Sequence, residues 1–139
     1  MCDTGPLFAA AYRTDQQHRV AAGLIERLGR GLILLDTVLA ETDILMRRRG
    51  AAHSARNLLA ATVSGAHRTA FLSPGLLRRA TELDAHYADL NLGLVDASIM
   101  AYAERHDLPI LTFDFRDFRA TESARGPWQL VLSEEQLGI

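Results

Sequence analysis

The chain has 139 residues, a formal net charge of -2 and 48% apolar residues. That is one folded domain with a real core; it excludes a disordered chain and a generally basic nucleic-acid coat, and no apolar run approaches the ~20 residues of a membrane span. Cys2 is the only cysteine, so no intrachain disulfide forms, and no secretory signal pattern opens the chain, which together predict a cytoplasmic protein. All 15 basic residues are Arg, so every cationic contact is made by a guanidinium.

In chain order, Met1-Cys2 and Asp3 read as a very short first strand, and Pro6 marks a helix start. Asp15 to Arg30 carries Val20, Leu24 and Leu28 on one helical face, with Gly29 and Gly31 as its stop. Leu32 to Leu35 is a buried strand. Thr37 is a candidate N-cap for a helix to about Arg49, stopped by Gly50. A helix follows over Ser54 to Ser64, then a strand over His67 to Leu72. Ser73-Pro74 opens a helix reaching about Tyr87. Leu94-Val95 reads as strand-like, with Asp96 beginning a helix to His106. Pro109 to Phe113 is a strand, and Trp128 to Leu132 is the last one, after a turn at Gly126-Pro127. Strands alternating with helices predict an α/β domain with a mainly parallel sheet.

Four acids fall at the predicted ends of strands or one helical turn beyond: Asp3, Glu41, Asp96 and Asp114. Sites in such sheets collect at the carboxyl ends of strands. Converging carboxylates repel one another, and a hard divalent cation with oxygen ligands, Mg²⁺ or Mn²⁺, relieves the repulsion. Asp3 and Asp96 also suit turns or N-caps. Glu41 is more telling, because it shares a helix face with Val38 and Leu45. Asp43 is expected on the outer face of that helix, in a solvated pair with Arg47. Of Asp114 and Asp117, Asp114 lies nearer the strand end, and Thr112 is placed to hydrogen-bond within the site. Phe113, Phe115 and Phe118 read as packing residues. The histidines have no zinc spacing, and no Gly-rich phosphate loop is present.

Asp-Thr-Gly-Pro-Leu, Val-Leu-Ala-Glu, Leu-Val-Asp-Ala-Ser-Ile and Leu-Thr-Phe-Asp-Phe-Arg-Asp-Phe, in this order, resemble the PIN domain, and within it the VapC-type toxins of bacterial type II toxin–antitoxin pairs. Ala-Asp-Leu-Asn-Leu-Gly after Tyr87 and the late Gly-Pro-Trp-Gln-Leu-Val-Leu add to the likeness. The resemblance implies a three-layer α/β/α fold and a metal-dependent endoribonuclease. It also implies an antitoxin partner, an RNA substrate and a homodimer. Asp3, Glu41, Asp96 and Asp114 match the family's acidic quartet, Thr4 and Thr112 its polar companions, and Asp117 a variable acidic position. Arg13, Arg116 and Arg119 are the candidate RNA contacts. Only two residues precede Asp3, which predicts a poorly supported first strand and a loosely held Asp3. From that follows a rival reading, a PIN-like binding module without catalysis. A phospho-receiver domain would want a Lys, which the chain lacks, and a DNA-cutting relative remains a third reading.

Overall fold

The computed structural model describes residues 1–138. Asp3 serves as N-cap of α1 (Thr4–Ala11), its carboxylate accepting from the Thr4 amide at 2.6 Å. The helix therefore starts two residues before Pro6, which sits in its first turn. α2 (His18–Leu28) gives way to a 3-10 turn over Gly29–Gly31, and β1 (Ile33–Leu35) follows, wholly buried as its apolar run requires. α3 (Asp36–Arg48) begins directly at the strand end. Thr37 is not its N-cap. Leu35 is the N-cap, without a side-chain bond, and Asp36 accepts from the adjacent Thr37 amide and the distant Leu72 amide at 3.0 Å each. The Thr37 hydroxyl is thereby free to pair with that of Ser98 at 2.9 Å. Gly50, at φ +74°, takes the left-handed turn that ends this helical segment.

α4 (Ala52–Val63) leads to β2 (Arg68–Ala70), which pairs in parallel with β1 in the register Ile33–Arg68, Leu34–Thr69, Leu35–Ala70. Ser73 caps α5 (Pro74–His86) through the Leu76 amide at 3.3 Å, as the Ser-Pro pair predicts. α6 (Gly93–His106) corrects the strand-like reading of Leu94-Val95, which lie in its first turn. Asn91 and Gly93 both have positive φ, so the chain turns there, and Asp84 meets the Gly93 amide at 3.1 Å. That capping bond comes from α5 and leaves no local trace.

α7 (Phe115–Ala120) precedes a small hairpin of β3 (Glu122–Ser123) and β4 (Gly126–Pro127), and α8 (Glu134–Leu137) closes the described chain with a Ser133–Gln136 capping box. Gly126-Pro127 is therefore a hairpin arm rather than a turn. The strands expected over Pro109–Phe113 and Trp128–Leu132 shrink to single parallel bridges, Cys2–Leu111 and Ile110–Leu130. Trp128 is held sideways by its indole N–H, which donates to the Thr121 hydroxyl at 2.9 Å.

The short first strand is firmly placed, against expectation. The Cys2 amide donates to Ile33 at 3.0 Å, the Asp3 amide to Leu111 at 2.9 Å, and the Leu111 amide to Met1 at 2.8 Å. Residues 1–3 thus lie between β1 and residues 110–111, and Asp3 is only 6% exposed. Leu34, Leu35, Val38, Met46, Ile99, Met100, Ile110 and Leu111 fill the core around them. α1 packs on α2, α5 on α6, and α3 touches α1, α4 and α6. The result is the expected three-layer α/β/α arrangement. No helix among the described residues is long and apolar enough to cross a membrane.

Candidate acidic site

The four sequence-predicted acids come from four separate elements. Asp3 stands at the start of α1, Glu41 on α3, Asp96 in the first turn of α6, and Asp114 at the N-cap of α7. All four line one cleft of about 320 Å³, together with Thr4, Gly5, Phe8 and Leu45. α3 carries Glu41 between the other walls because it packs against both α1 and α6. The buried stripe of α3 is Val38, Thr42 and Met46; Glu41 and Leu45 border it and open to the cleft.

Asp3 is the most tightly held. Its two oxygens accept from the Thr4 amide at 2.6 Å and from the Thr112 hydroxyl at 2.7 Å. The Thr4 hydroxyl donates to Glu41 at 3.2 Å. Thr112 also receives the Asp114 amide at 2.9 Å, so one hydroxyl links two acids. Both predicted polar companions are therefore at the cleft. Asp114 in turn accepts from the Asp117 amide at 3.1 Å, an N-cap bond three residues long.

Asp117 is nearer the acids than its sequence position made plain. Carboxylate oxygens of Asp96, Asp114 and Asp117 lie within 4.8 Å of one another. The signal was present in the i, i+3 spacing of Asp114 and Asp117, which on a first helical turn puts both on one side. Phe8, which sequence reasoning left aside, forms part of the wall because it lies one turn after Thr4.

The electrostatics are those of crowded carboxylates. Burial first, then the charges of Asp3, Asp114, Glu41 and Asp117, push the Asp96 carboxyl up to about 7. Burial also raises Asp3, against the lowering effect of its Thr112 and Thr4 hydrogen bonds. Arg116 is the one cation in hydrogen-bond contact with the described cluster, its Nε 2.9 Å from Asp117. Its side chain is 82% exposed, so it neutralises little. An all-oxygen donor set with this unrelieved negative charge fits a hard divalent cation.

The other candidate RNA contacts are dispersed. Arg119 is paired with Glu134 at 2.9 Å and lies over the Phe115 ring. Arg13 lines a different cleft of about 310 Å³, with Leu7, Ile25, Asn57, Leu58 and His67 among its neighbours. Asp43 pairs with Arg47 at 2.9 Å as expected, but it is not on a fully solvated face. Its side chain is 25% exposed, and one oxygen is buried without a hydrogen-bond partner. The outer stripe of α3 is Ala40, Ile44, Arg47 and Arg48, and Asp43 borders it rather than lying on it.

An acid-lined cleft at the edge of a short parallel sheet, covered by helices on both faces, is what defines the class. Residues 1–123 match the model of the PIN domain family, and the chain belongs to that family. It is similar to ribonuclease VapC26 of Mycobacterium tuberculosis (strain H37Rv), with 26% identity over 125 residues, 89% of this chain and 93% of that protein. In fold it is similar to the crystal structure of Mycobacterium tuberculosis VapC20, a sarcin-ricin loop cleaving toxin. That match has a TM-score of 0.76 and 22% identity, covering 83% of this chain and 89% of the other.

Proposed function

We propose that the chain is a metal-dependent endoribonuclease, the toxin of a toxin–antitoxin pair, acting in the cytoplasm. The observation that carries the reading is the convergence of Asp3, Glu41, Asp96 and Asp114 on one cleft, with Asp117 beside them. The similarity to a ribonuclease over nearly the whole chain supports the choice of RNA as substrate.

Mg²⁺ or Mn²⁺ would be held chiefly by Asp96 and Asp114, with Asp3, Glu41 and Asp117 completing the carboxylate wall. When bound, the ion supplies charge neutralisation for a phosphodiester and a water acidic enough to attack it. The chain's own groups prepare that chemistry. Thr112 and Thr4 hold Asp3 in one orientation, and Thr4 ties Glu41 to it. Asp96, crowded by the charges of Asp3, Asp114, Glu41 and Asp117, is a carboxylate that a cation would relieve. Arg116, exposed beside Asp117, is the arginine best placed to meet a phosphate. A small antitoxin would cover the cleft, and the toxin would act as a homodimer. The backbone bonds of Met1 to Asp3 and the two bonds of the Asp3 carboxylate favour the catalytic reading over a binding module with a failed first strand.

The test is cleavage of matched single-stranded RNA and DNA with Mn²⁺, with Mg²⁺ and with chelator. Metal-dependent internal cuts in RNA alone, lost in Asp96→Asn, are expected. Cleavage that survives chelation would overturn the reading, and equal cutting of DNA would make the chain a general nuclease.

A further inference from the structure

The acid cleft adjoins the aromatic side of α1 at Phe8. Thr4, Phe8 and Tyr12 are spaced four apart and so lie along one side of that helix and its cap. Thr4 and Phe8 line the cleft. The Phe8 ring stacks with that of Tyr12 at 5.1 Å between centroids and 29° between planes. The guanidinium of Arg49 lies over Phe8, 5.7 Å from its centroid. Phe8 packs partly on the core, but Tyr12 is not among the residues packed there. Both rings are half-buried, and Arg48 and Arg49 are exposed. Arg47 is held by Asp43, whereas Arg48 and Arg49 make no ion pair among the described residues.

A half-buried aromatic pair beside a guanidinium that makes no ion pair among the described residues, adjoining a carboxylate cleft, has the chemistry that binds single-stranded nucleic acid. Phe8 is already covered by Tyr12 and Arg49, so a base stacks on Tyr12, backed by Phe8, while the arginine meets the backbone phosphate. Paired bases have their faces covered by their neighbours and gain nothing from such a surface. We propose that Phe8, Tyr12 and Arg49 form a stacking site for an unpaired base of the RNA, next to the phosphodiester held in the acid cleft. This deepens the ribonuclease reading and rests on it for the identity of the strand.

The experiment is fluorescence anisotropy with a labelled short single-stranded RNA of mixed sequence in calcium buffer, beside a duplex of the same sequence. Tyr12→Ala should weaken single-strand binding on the order of five- to a hundredfold, the range for loss of one base–aromatic stack. Tyr12→Phe should restore it, since the ring and not the hydroxyl is used. Arg49→Ala should weaken it too and lower the salt slope by about one. Duplex affinity should not move, and circular dichroism melts should match the wild type. Unchanged single-strand affinity, equal losses on duplex, or failure of Tyr12→Phe to restore binding each overturn the proposal. So does unchanged RNA affinity with weakened binding of the antitoxin, which would make this face a protein-docking surface. No RNA binding by the wild type overturns it as well. Binding that depends on Tyr12 and Arg49 without any cleavage in Mn²⁺ would uphold the stacking site and sink the nuclease reading. Cleavage by a wild type whose variants bind normally would do the opposite.

Discussion

The hydroxyl of Thr112 donates to Asp3 at 2.7 Å across 109 positions of sequence and accepts from the Asp114 amide at 2.9 Å. One buried oxygen therefore sets the position of two acids on different elements. Thr112→Val keeps the shape and removes that oxygen. A buried acceptor left without its donor costs about 1–3 kcal/mol. Urea denaturation should show that loss, and Mn²⁺ should stabilise the variant less than the wild type. A variant as stable as the wild type with an intact metal response would show that Thr112 is only filling space.

Asp96→Asn relieves repulsion among the acids, so without metal it should be as stable as the wild type or more so. With Mn²⁺ the order should reverse, because an ion binding only the folded state adds roughly 2.7 kcal/mol at a hundredfold excess over its Kd. Glu41→Gln and Asp114→Asn should follow the same pattern. Asp43→Asn removes a surface-edge ion pair and should leave the metal response intact. Thermal melts on the four variants, with and without Mn²⁺, check this.

The same crowding makes the metal-free protein sensitive to pH. An unfolded Asp titrates near ~3.9, whereas Asp96 in the fold titrates at about 7. Between these values the folded state binds more protons than the unfolded one, so stability falls as pH rises. The Asp96 part of the decline should span about pH 4 to 7, and Asp3, also raised, contributes in the same direction. Asp96→Asn should flatten it. Denaturant midpoints measured in chelator across this range would expose the error if stability rose instead.

Arg116→Ala should leave stability nearly unchanged, since an exposed guanidinium gains little from its carboxylate partner. RNA affinity should weaken, and the slope of log affinity against log salt should drop by about one if the residue neutralises one phosphate. Titrations at several salt concentrations give both numbers. An unchanged slope would place the phosphate path elsewhere.

Where local chemistry decides, the sequence was readable. Leu32 to Leu35 could only be buried, Ser73-Pro74 opens a helix at its own Ser, and Gly50 ends one at its own φ. The acids were also legible, because each follows an apolar run or shares a face with one. The misreadings fall where a distant residue decides. Asp84 on α5 takes up the Gly93 amide where α6 starts, after the turn at Asn91 and Gly93, so Leu94 and Val95 are helical. Met1 to Asp3 gain their order from backbone bonds to Ile33 and Leu111, which no window around them contains. The closeness of Asp117 to Asp96 likewise depends on how α6 and α7 meet.

Asp3 caps a helix with one oxygen and receives Thr112 with the other. Mutational drift at this position is therefore filtered twice, once by folding and once by whatever the cleft does. Most replacements lose the helix start along with the charge. Asn and Ser stand apart, because each caps helices about as well as Asp, although neither offers Thr112 a second accepting oxygen. A lineage that abandoned the chemistry but kept the fold has that exit at position 3, and an Asn or Ser there would be the mark of a retired site on a preserved scaffold.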